Sequence, residues 1–141
     1  MKIEIYDSTL RDGTQQEGIS LSVEDKLAIT QKLDEIGVHY IEGGFAGANP
    51  KDDEYFKKVQ KLQLKNAKIA AFGNTRRANN NSESDPTLKA LIDTKAEILT
   101  IVGKASDFQV ENILQTSLEE NINMIADSIS YLKSKNRVVF F

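Results

Sequence analysis

The chain has 141 residues, carries 18 Lys plus Arg against 21 Asp plus Glu, and has a formal net charge of −3. With 40% hydrophobic and 28% charged residues, it is too apolar for a disordered chain and has the length of a single domain. Mild acidity argues against a nucleic-acid partner, and no apolar run reaches the roughly 18 residues of a membrane span. The absence of cysteine excludes disulfides and fits a cytoplasmic protein.

Predicted strands and helices alternate from one end of the chain to the other. Short runs of β-forming residues predict five strands, at residues 3–6, 38–42, 67–72, 97–102 and 137–141. Amphipathic stretches between them predict helices over residues 22–37, from 50, from 86, over 106–114 and over 117–135. Strands separated by about 30 to 40 residues with a helix between them are typical of βαβ units, so we expect a parallel sheet.

Capping residues support three of the predicted helices. Ser22 has the side chain of an N-cap, and Asp25 three residues later completes a capping pattern. Asn49 can cap the second helix, with Pro50 at the first helical position, where a missing N–H is tolerated. An Asp–Pro pair that begins at Asp85 marks the start of the third helix in the same way.

The last predicted helix, residues 117–135, has the strongest helical period in the chain. Its apolar residues recur at alternating intervals of four and three and form one stripe: Leu118, Ile122, Ile125, Ile129 and Leu132. In an intact fold, a stripe of this kind is expected to face the hydrophobic core and not a partner.

A parallel α/β sheet with right-handed crossovers leaves two architectures open. One is an open doubly wound sheet, and the other is part of a closed (β/α)8 barrel. A whole barrel typically takes about 250 residues, so 141 residues could form only part of one. In both architectures ligands bind at the C-terminal ends of the strands, so the polar residues there are the candidates for a site.

The loop after the first predicted strand is rich in polar residues up to Gly18, among them Asp7, Arg11, Asp12, Gln15 and Glu17. Asp12 next to Arg11 would place an oxygen ligand for a hard divalent cation beside a fixed planar cation. Such a pair can hold a 2-oxo acid, with the arginine and the metal stabilising negative charge that develops on its carbonyl oxygen. The same residues also fit a solvated loop with a weak surface ion pair, and their chemistry alone leaves both interpretations open.

The ends of the next three predicted strands carry weaker candidates. Glu42 is followed by two glycines, which fits either a ligand site or a capped turn. Arg76 and Arg77 could bind a carboxylate or a phosphate, or could form a solvated charge pair. At the end of the fourth strand, Thr100 could donate a hydrogen bond to a ligand and Lys104 could attract an anion.

The first loop resembles the signature of the DRE-TIM metallolyases, a family that includes isopropylmalate, homocitrate and citramalate synthases and 3-hydroxy-3-methylglutaryl-CoA lyase. The resemblance rests on residues 7–13, Asp-Ser-Thr-Leu-Arg-Asp-Gly, followed by Gln15. It extends over nearly the whole chain. Later motifs look like the citramalate synthase branch, at residues 18–20, 22–27, 40–44, 47–52, 71–77 and 118–121.

This resemblance implies the N-terminal half, strands 1 to 5, of an α/β TIM barrel with a parallel sheet. It implies an acyltransferase that condenses acetyl-CoA with a 2-oxo acid, with pyruvate favoured, in the biosynthesis of leucine or isoleucine. A divalent metal, Mg²⁺, Mn²⁺ or Zn²⁺, would chelate the 2-oxo acid. The protein would act in the cytoplasm as a homo-oligomer.

The resemblance also assigns roles to individual residues by their position in the motifs. Arg11 matches the arginine that stabilises the oxyanion, and Asp12 matches the first metal ligand. Gln15 and Glu42 match residues that line the same pocket, Glu42 with a catalytic role. Together with Arg11 and Gln15, Thr100 is expected to bind the substrate.

The chain departs from the family in its histidines. The enzymes complete their metal site with a His-x-His pair on a later strand, whereas this chain has only His39, expected at the opposite end of the sheet in a structural role. We therefore expect residues 1–141 to be a partial catalytic domain that ends just after the start of strand 5 and is inactive alone. A half-barrel binding or assembly module, a lyase of the same superfamily and an unrelated open-sheet domain are the alternatives.

Overall fold

The computed structural model describes residues 2–141 as a parallel sheet flanked by helices. Five strands lie side by side in the order of the sequence: β1 (Tyr6–Asp7), β2 (Tyr40–Phe45), β3 (Lys68–Asn74), β4 (Ile98–Val102) and β5 (Val138–Phe140). Each neighbouring pair of strands is parallel. A strand order that never reverses is that of a barrel segment and not of a doubly wound sheet, so the prediction of a partial (β/α)8 barrel is confirmed.

The helices begin where the capping residues predict. They are α1 (Val23–Glu35), α2 (Pro50–Val59), α3 (Pro86–Asp93), the short α4 (Asp107–Gln109), which continues as a π-helical turn (Val110–Leu114), and α5 (Leu118–Ser134). Ser22 accepts the backbone N–H of Asp25, and Asn49 and Asp85 cap α2 and α3. Within residues 2–141, no helix is both long and apolar enough to cross a lipid bilayer.

The first strand is shorter than the sequence indicates. Residues 3–6 are rich in β-forming side chains, yet only Tyr6–Asp7 pairs with β2, and Ile3 and Ile5 are exposed. β1 has a neighbour on one side only, so β propensity alone does not extend its ladder. His39 has a structural role here, because its Nδ1 accepts the backbone N–H of Ile5 at 3.1 Å.

The hydrophobic core lies between the sheet and the helices. Alternate residues of β2 and β4 point into it, and Ile41, Leu99 and Ile101 are almost fully buried there. The helices contribute Tyr55, Phe56, Val59, Leu88, Leu91 and Leu132 to the same cluster. Glu42 and Thr100 occupy the alternate positions of these strands, so they point to the opposite, inner face of the curled sheet.

The apolar stripe of α5 is only partly in the core of the described residues, because its N-terminal half is exposed. Ile122 is 65% exposed and Leu118 is 40% exposed, whereas Leu132 is fully buried. The buried positions of the helix are Asn121, Met124, Ser128 and Leu132. The helix is thus rotated about its axis relative to the orientation that its apolar stripe predicts. Ser128 is one cause, because its hydroxyl accepts the backbone N–H of Arg76 at 2.8 Å.

Candidate active site

Three of the predicted site residues meet in one network at the inner face of the sheet. Arg11 comes from the loop after β1, Glu42 from β2 and Thr100 from β4. Tyr6, the first residue of β1, joins them. Gln15 lies in the 3₁₀ turn Gly13–Gln15, and its exposed side chain is not part of the network.

A tight turn positions Arg11 and Asp12. The carbonyl oxygen of Ser8 accepts the backbone N–H groups of Arg11 and Asp12 at 3.2 and 2.8 Å. Leu10, just before them, is fully buried and anchors the turn in the core. The side chains of Arg11 and Asp12 therefore extend from a backbone that is fixed by hydrogen bonds and by the packing of Leu10.

Arg11 is held on three sides. Its Nε donates to Oε2 of Glu42 and its Nη1 to Oδ1 of Asp12, both at 2.9 Å. Its guanidinium carbon lies 4.0 Å from the centre of the Phe72 ring. A guanidinium favours both charge-assisted hydrogen bonds and stacking on an aromatic face. Within the described chain these contacts leave Nη2 without a partner, so one cationic donor stays open to an anionic ligand.

Glu42 is a buried carboxylate with both oxygens engaged. The residue is 2% exposed. Its Oε2 accepts from Arg11, and its Oε1 accepts the hydroxyl of Tyr6 at 2.8 Å. The arginine compensates a charge whose burial would otherwise be costly. The Tyr6 oxygen also lies 2.7 Å from Oγ1 of Thr100, so the network connects β1, β2 and β4.

Tyr6 is not among the site residues that the sequence predicts. Burial raises the pKa of Tyr6 above its ordinary value of 10.0, and the nearby Glu42 carboxylate raises it as well, so the hydroxyl stays protonated as a donor. An aromatic residue in a strand is more typical of packing than of a site. The available signal is position, because Tyr6 directly precedes the loop that carries Arg11.

The two glycines after Glu42 serve close packing against α2. A β-bulge lies between Glu42 and Gly44. A Cβ on Gly44 would lie 2.6 Å from Cγ of Asp52. Asp52 has no room to yield, because it pairs with buried Lys26 at 2.5 Å and accepts the backbone N–H of Phe45 at 3.0 Å. The glycines thus fix where β2 bends just beyond the site and do not cap a turn.

The first member of the arginine pair after β3 binds carboxylates of the chain itself in a structural role, so the interpretation of Arg76 as part of a solvated charge pair is wrong. Arg76 is buried, and its guanidinium donates to Asp127 at 2.7 and 3.0 Å and to Glu120 at 2.7 Å, both on α5. These partners are 44 and 51 residues away in the chain, beyond any local pattern. Arg77 is exposed, and with Lys104 it lines a separate cavity of about 440 Å³ at the ends of β3 and β4.

Asp12 is the predicted metal ligand, and its side chain is 61% exposed. Divalent cations such as Mg²⁺ are bound by several oxygen ligands at once. In the part of the chain that the structure describes, no group of three or more His, Cys, Asp or Glu side chains is placed to hold a metal ion. Residues 2–141 therefore offer one candidate ligand and do not by themselves fit a complete metal site.

Solved structures share this arrangement of strands and helices. The HMG-CoA lyase from Pseudomonas aeruginosa matches with a TM-score of 0.74 and 18% identity, over 98% of this chain and 44% of that one. The HMG-CoA lyase from Bacillus subtilis matches with a TM-score of 0.73 and 18% identity, over 98% of this chain and 45% of that one. The molecule is thus an α/β protein of the TIM-barrel class, and its strands match the N-terminal part of such a barrel.

The sequence is similar to those of one family within this class. The HMGL-like family model matches residues 2–141, and the chain belongs to the HMGL-like family. It is 54% identical to the (R)-citramalate synthase of Geobacter sulfurreducens, over 99% of this chain and 26% of that protein. It is 52% identical to the (R)-citramalate synthase of Aquifex aeolicus, over 94% of this chain and 25% of that protein. The chain spans about a quarter of the length of these curated relatives.

Proposed function

We propose that this chain is the N-terminal part of the catalytic barrel of an acyltransferase of the citramalate/2-isopropylmalate synthase type. The enzyme condenses acetyl-CoA with a 2-oxo acid, with pyruvate favoured, in the biosynthesis of leucine or isoleucine. The observation that carries the proposal is the Arg11 guanidinium, which Glu42 and Phe72 hold in place while one donor stays free. Identity to (R)-citramalate synthases over nearly the whole chain supports the substrate class.

The condensation needs what Arg11 offers. A base takes a proton from the acetyl methyl group, the methyl carbon bonds to the keto carbon of the 2-oxo acid, and the keto oxygen becomes an alkoxide that is then protonated. Water hydrolyses the thioester and releases CoA. A cationic donor that is already oriented stabilises the alkoxide charge without rearranging during the reaction. Both oxygens of Glu42 are occupied, so Glu42 acts by orienting Arg11. Gln15 and Thr100 are the candidates for further substrate contacts.

The resemblance implies Mg²⁺, Mn²⁺ or Zn²⁺ at this site, next to acetyl-CoA as co-substrate. A bound divalent cation supplies polarisation of a keto group. Asp12 would contribute one carboxylate oxygen, and the remaining ligands would come from outside residues 2–141.

Replacing Arg11 by lysine tests the proposal in the full-length gene product. Lysine keeps the positive charge but loses the planar fork and the stacking on Phe72. We expect kcat for CoA release from acetyl-CoA and pyruvate to fall about 100-fold or more. Urea unfolding of the variant is the control for folding, and a comparison of pyruvate with 3-methyl-2-oxobutanoate identifies the favoured 2-oxo acid. If the unsubstituted enzyme releases no CoA with either acid, the proposed function is overturned.

A lyase of the same superfamily is the second candidate, because the solved structures with this fold are HMG-CoA lyases. Their low identity supports the fold alone, whereas the citramalate synthases are about half identical to this chain. Incubation of the full-length protein with 3-hydroxy-3-methylglutaryl-CoA distinguishes the two candidates. Formation of acetyl-CoA from this thioester would favour the lyase.

The full-length protein is further proposed to be a cytoplasmic homo-oligomer that binds small molecules and neither nucleic acid nor membrane. Its slight negative charge supports the last point. Exposed apolar residues such as Ile122 and Phe141 support burial of this surface in the larger protein or in an oligomer. Light scattering of the full-length protein measures its mass, and a monomer at micromolar concentration would contradict the oligomer.

A further inference from the structure

Tyr6 lies at the centre of the network, between Glu42 and Thr100, and takes no part in the proposed condensation itself. We propose that Tyr6 is a positioning residue in a hydrogen-bond relay that connects Thr100 to Arg11: Thr100 donates to Tyr6, and Tyr6 and Arg11 both donate to Glu42. The relay itself follows from geometry. Its effect on catalysis rests on the proposed function.

The donor of each hydrogen bond in the relay follows from counting hydrogens. An ionised carboxylate has none, so both of its partners donate to it, the Tyr6 hydroxyl to Oε1 and the Arg11 Nε–H to Oε2. A tyrosine hydroxyl has one hydrogen, and Tyr6 gives it to Glu42. The 2.7 Å contact between Tyr6 and Thr100 is therefore donated by the Thr100 hydroxyl.

The ring of Tyr6 is fixed by its aromatic neighbours. Its centre lies 6.3 Å from that of Tyr40 and 6.0 Å from that of Phe140, within the range of aromatic pairs. Phe140 stands beside Thr100 in the register of β4 and β5. Because the ring is packed from two sides, its hydroxyl is a fixed point against which the Glu42 carboxylate is oriented.

The relay holds Arg11 through its Nε, which leaves Nη2 for a ligand. The plane of the guanidinium depends on Glu42, and the orientation of Glu42 depends on the Tyr6 hydroxyl. Without that hydroxyl, Oε1 becomes a buried acceptor with no partner, which is costly and frees the carboxylate to rotate. Thr100 gives its hydrogen to Tyr6, so its hydroxyl offers a substrate only an acceptor, and its donor acts on the site through Tyr6.

Tyr6→Phe and Tyr40→Phe form a matched pair in the full-length enzyme. Each removes one hydroxyl and keeps a ring in the same aromatic cluster, but the Tyr40 hydroxyl donates to exposed Glu4 at 2.7 Å, outside the relay. We expect Tyr6→Phe to lower kcat about 10-fold to 100-fold, as the loss of an outer hydrogen-bond partner does at metal sites. Tyr40→Phe is expected to stay close to wild type.

An Arg11→Lys background separates positioning from a general structural role. If Tyr6 acts through Arg11, Tyr6→Phe has little further effect on kcat in that background, because changes within one network are not additive. Thr100→Val should lower kcat in the wild-type background, and Thr100→Ser, which restores the hydroxyl, should recover it. An equal fractional loss from Tyr6→Phe with and without Arg11 would overturn the proposal.

A readout that needs no turnover keeps the relay separate from the proposed function. In NMR spectra of the full-length protein, we expect a slowly exchanging Arg11 Nε–H signal that is lost in Tyr6→Phe and kept in Tyr40→Phe. Failure to turn over acetyl-CoA with any 2-oxo acid counts against the proposed function alone. An Arg11 signal that Tyr6→Phe leaves unchanged counts against the relay.

Discussion

Asp34 turns a buried carboxylate toward three successive backbone N–H groups. The residue lies near the C-terminal end of α1 and is 6% exposed. Its oxygens accept the N–H groups of Lys65, Asn66 and Ala67 at 2.7 to 3.1 Å. Burial by itself raises the pKa of Asp34, but the three N–H groups outweigh it and hold the pKa below its ordinary value of 3.8. This one side chain therefore fixes the segment that leads into β3.

Replacing Asp34 by alanine is expected to lower the free energy of unfolding by about 2 to 3 kcal/mol, because hydrogen bonds to a charged acceptor are lost. A group whose pKa is lower in the folded state stabilises the fold above its unfolded pKa and loses this effect as pH falls through the folded pKa. The difference between wild type and Asp34→Ala should thus be constant near neutral pH and shrink below pH 3.8. Urea unfolding at a series of pH values measures it.

The neighbouring exposed residue supplies the control for this experiment. Glu35 makes a surface ion pair with Lys32 at 2.7 Å, so Glu35→Ala should change stability by less than about 0.5 kcal/mol. A wild-type advantage over Asp34→Ala that persists undiminished at the lowest pH would show that the charge of Asp34 is not what stabilises the segment.

At the scale of elements, Arg76 attaches the loop after β3 to α5. Its guanidinium spans Glu120, in the first turn of α5, and Asp127, about two turns later. Its backbone N–H donates to Ser128 on the same helix. One residue thus sets both the position and the rotation of α5, which explains why polar Ser128 is buried while Ile122 is exposed.

Arg76→Lys is expected to weaken this attachment. A single ammonium group cannot reproduce the fork that reaches both carboxylates, so we expect a loss of about 2 to 3 kcal/mol in the free energy of unfolding. Amide exchange should accelerate along α5. Arg77→Lys is the matched control, since Arg77 is exposed, and it should change stability by less than about 0.5 kcal/mol. Equal effects at the two positions would contradict the role given to Arg76.

Neighbouring residues in the sequence are enough to predict where a helix begins. They are not enough to predict which of its faces is buried. Ser22 and Asn49 identify where α1 and α2 begin, because each cap bonds to an N–H three residues later. Which face of α5 is buried depends on a hydrogen bond that the backbone N–H of Arg76 donates to Ser128, 52 residues away. No periodicity within α5 contains that information, so its apolar stripe indicates a helix but misplaces part of the core.

At the scale of the whole molecule, the candidate site combines residues that are neighbours in the sequence with residues that only the fold brings together. Arg11 and Asp12 share one loop, so their pairing could be predicted from the sequence. Tyr6 and Phe72 reach the same place from separate strands, and their contacts with the network require the curled sheet. The fold class follows from the alternation of elements, whereas the network requires knowledge of which strands meet.

The isolated 141-residue chain is expected to show no CoA release with acetyl-CoA, pyruvate and Mn²⁺. Among its described residues no group of three or more His, Cys, Asp or Glu side chains is placed to hold a metal ion, and a divalent cation takes several ligands. The full-length gene product under the same conditions is the positive control. Clear turnover by the isolated chain would show that residues 1–141 contain a complete catalytic site.

Each strand of the sheet pairs with the strand that precedes or follows it in the chain. During synthesis on the ribosome, each new strand after β1 can therefore pair with the strand that was made before it. This order favours co-translational folding. The contact between Tyr6 and Thr100 is different, because it joins residues 94 positions apart. The relay is complete only after β4 has been synthesised. Arg11 is among the first residues to be translated, but its orientation becomes fixed late in synthesis of the chain.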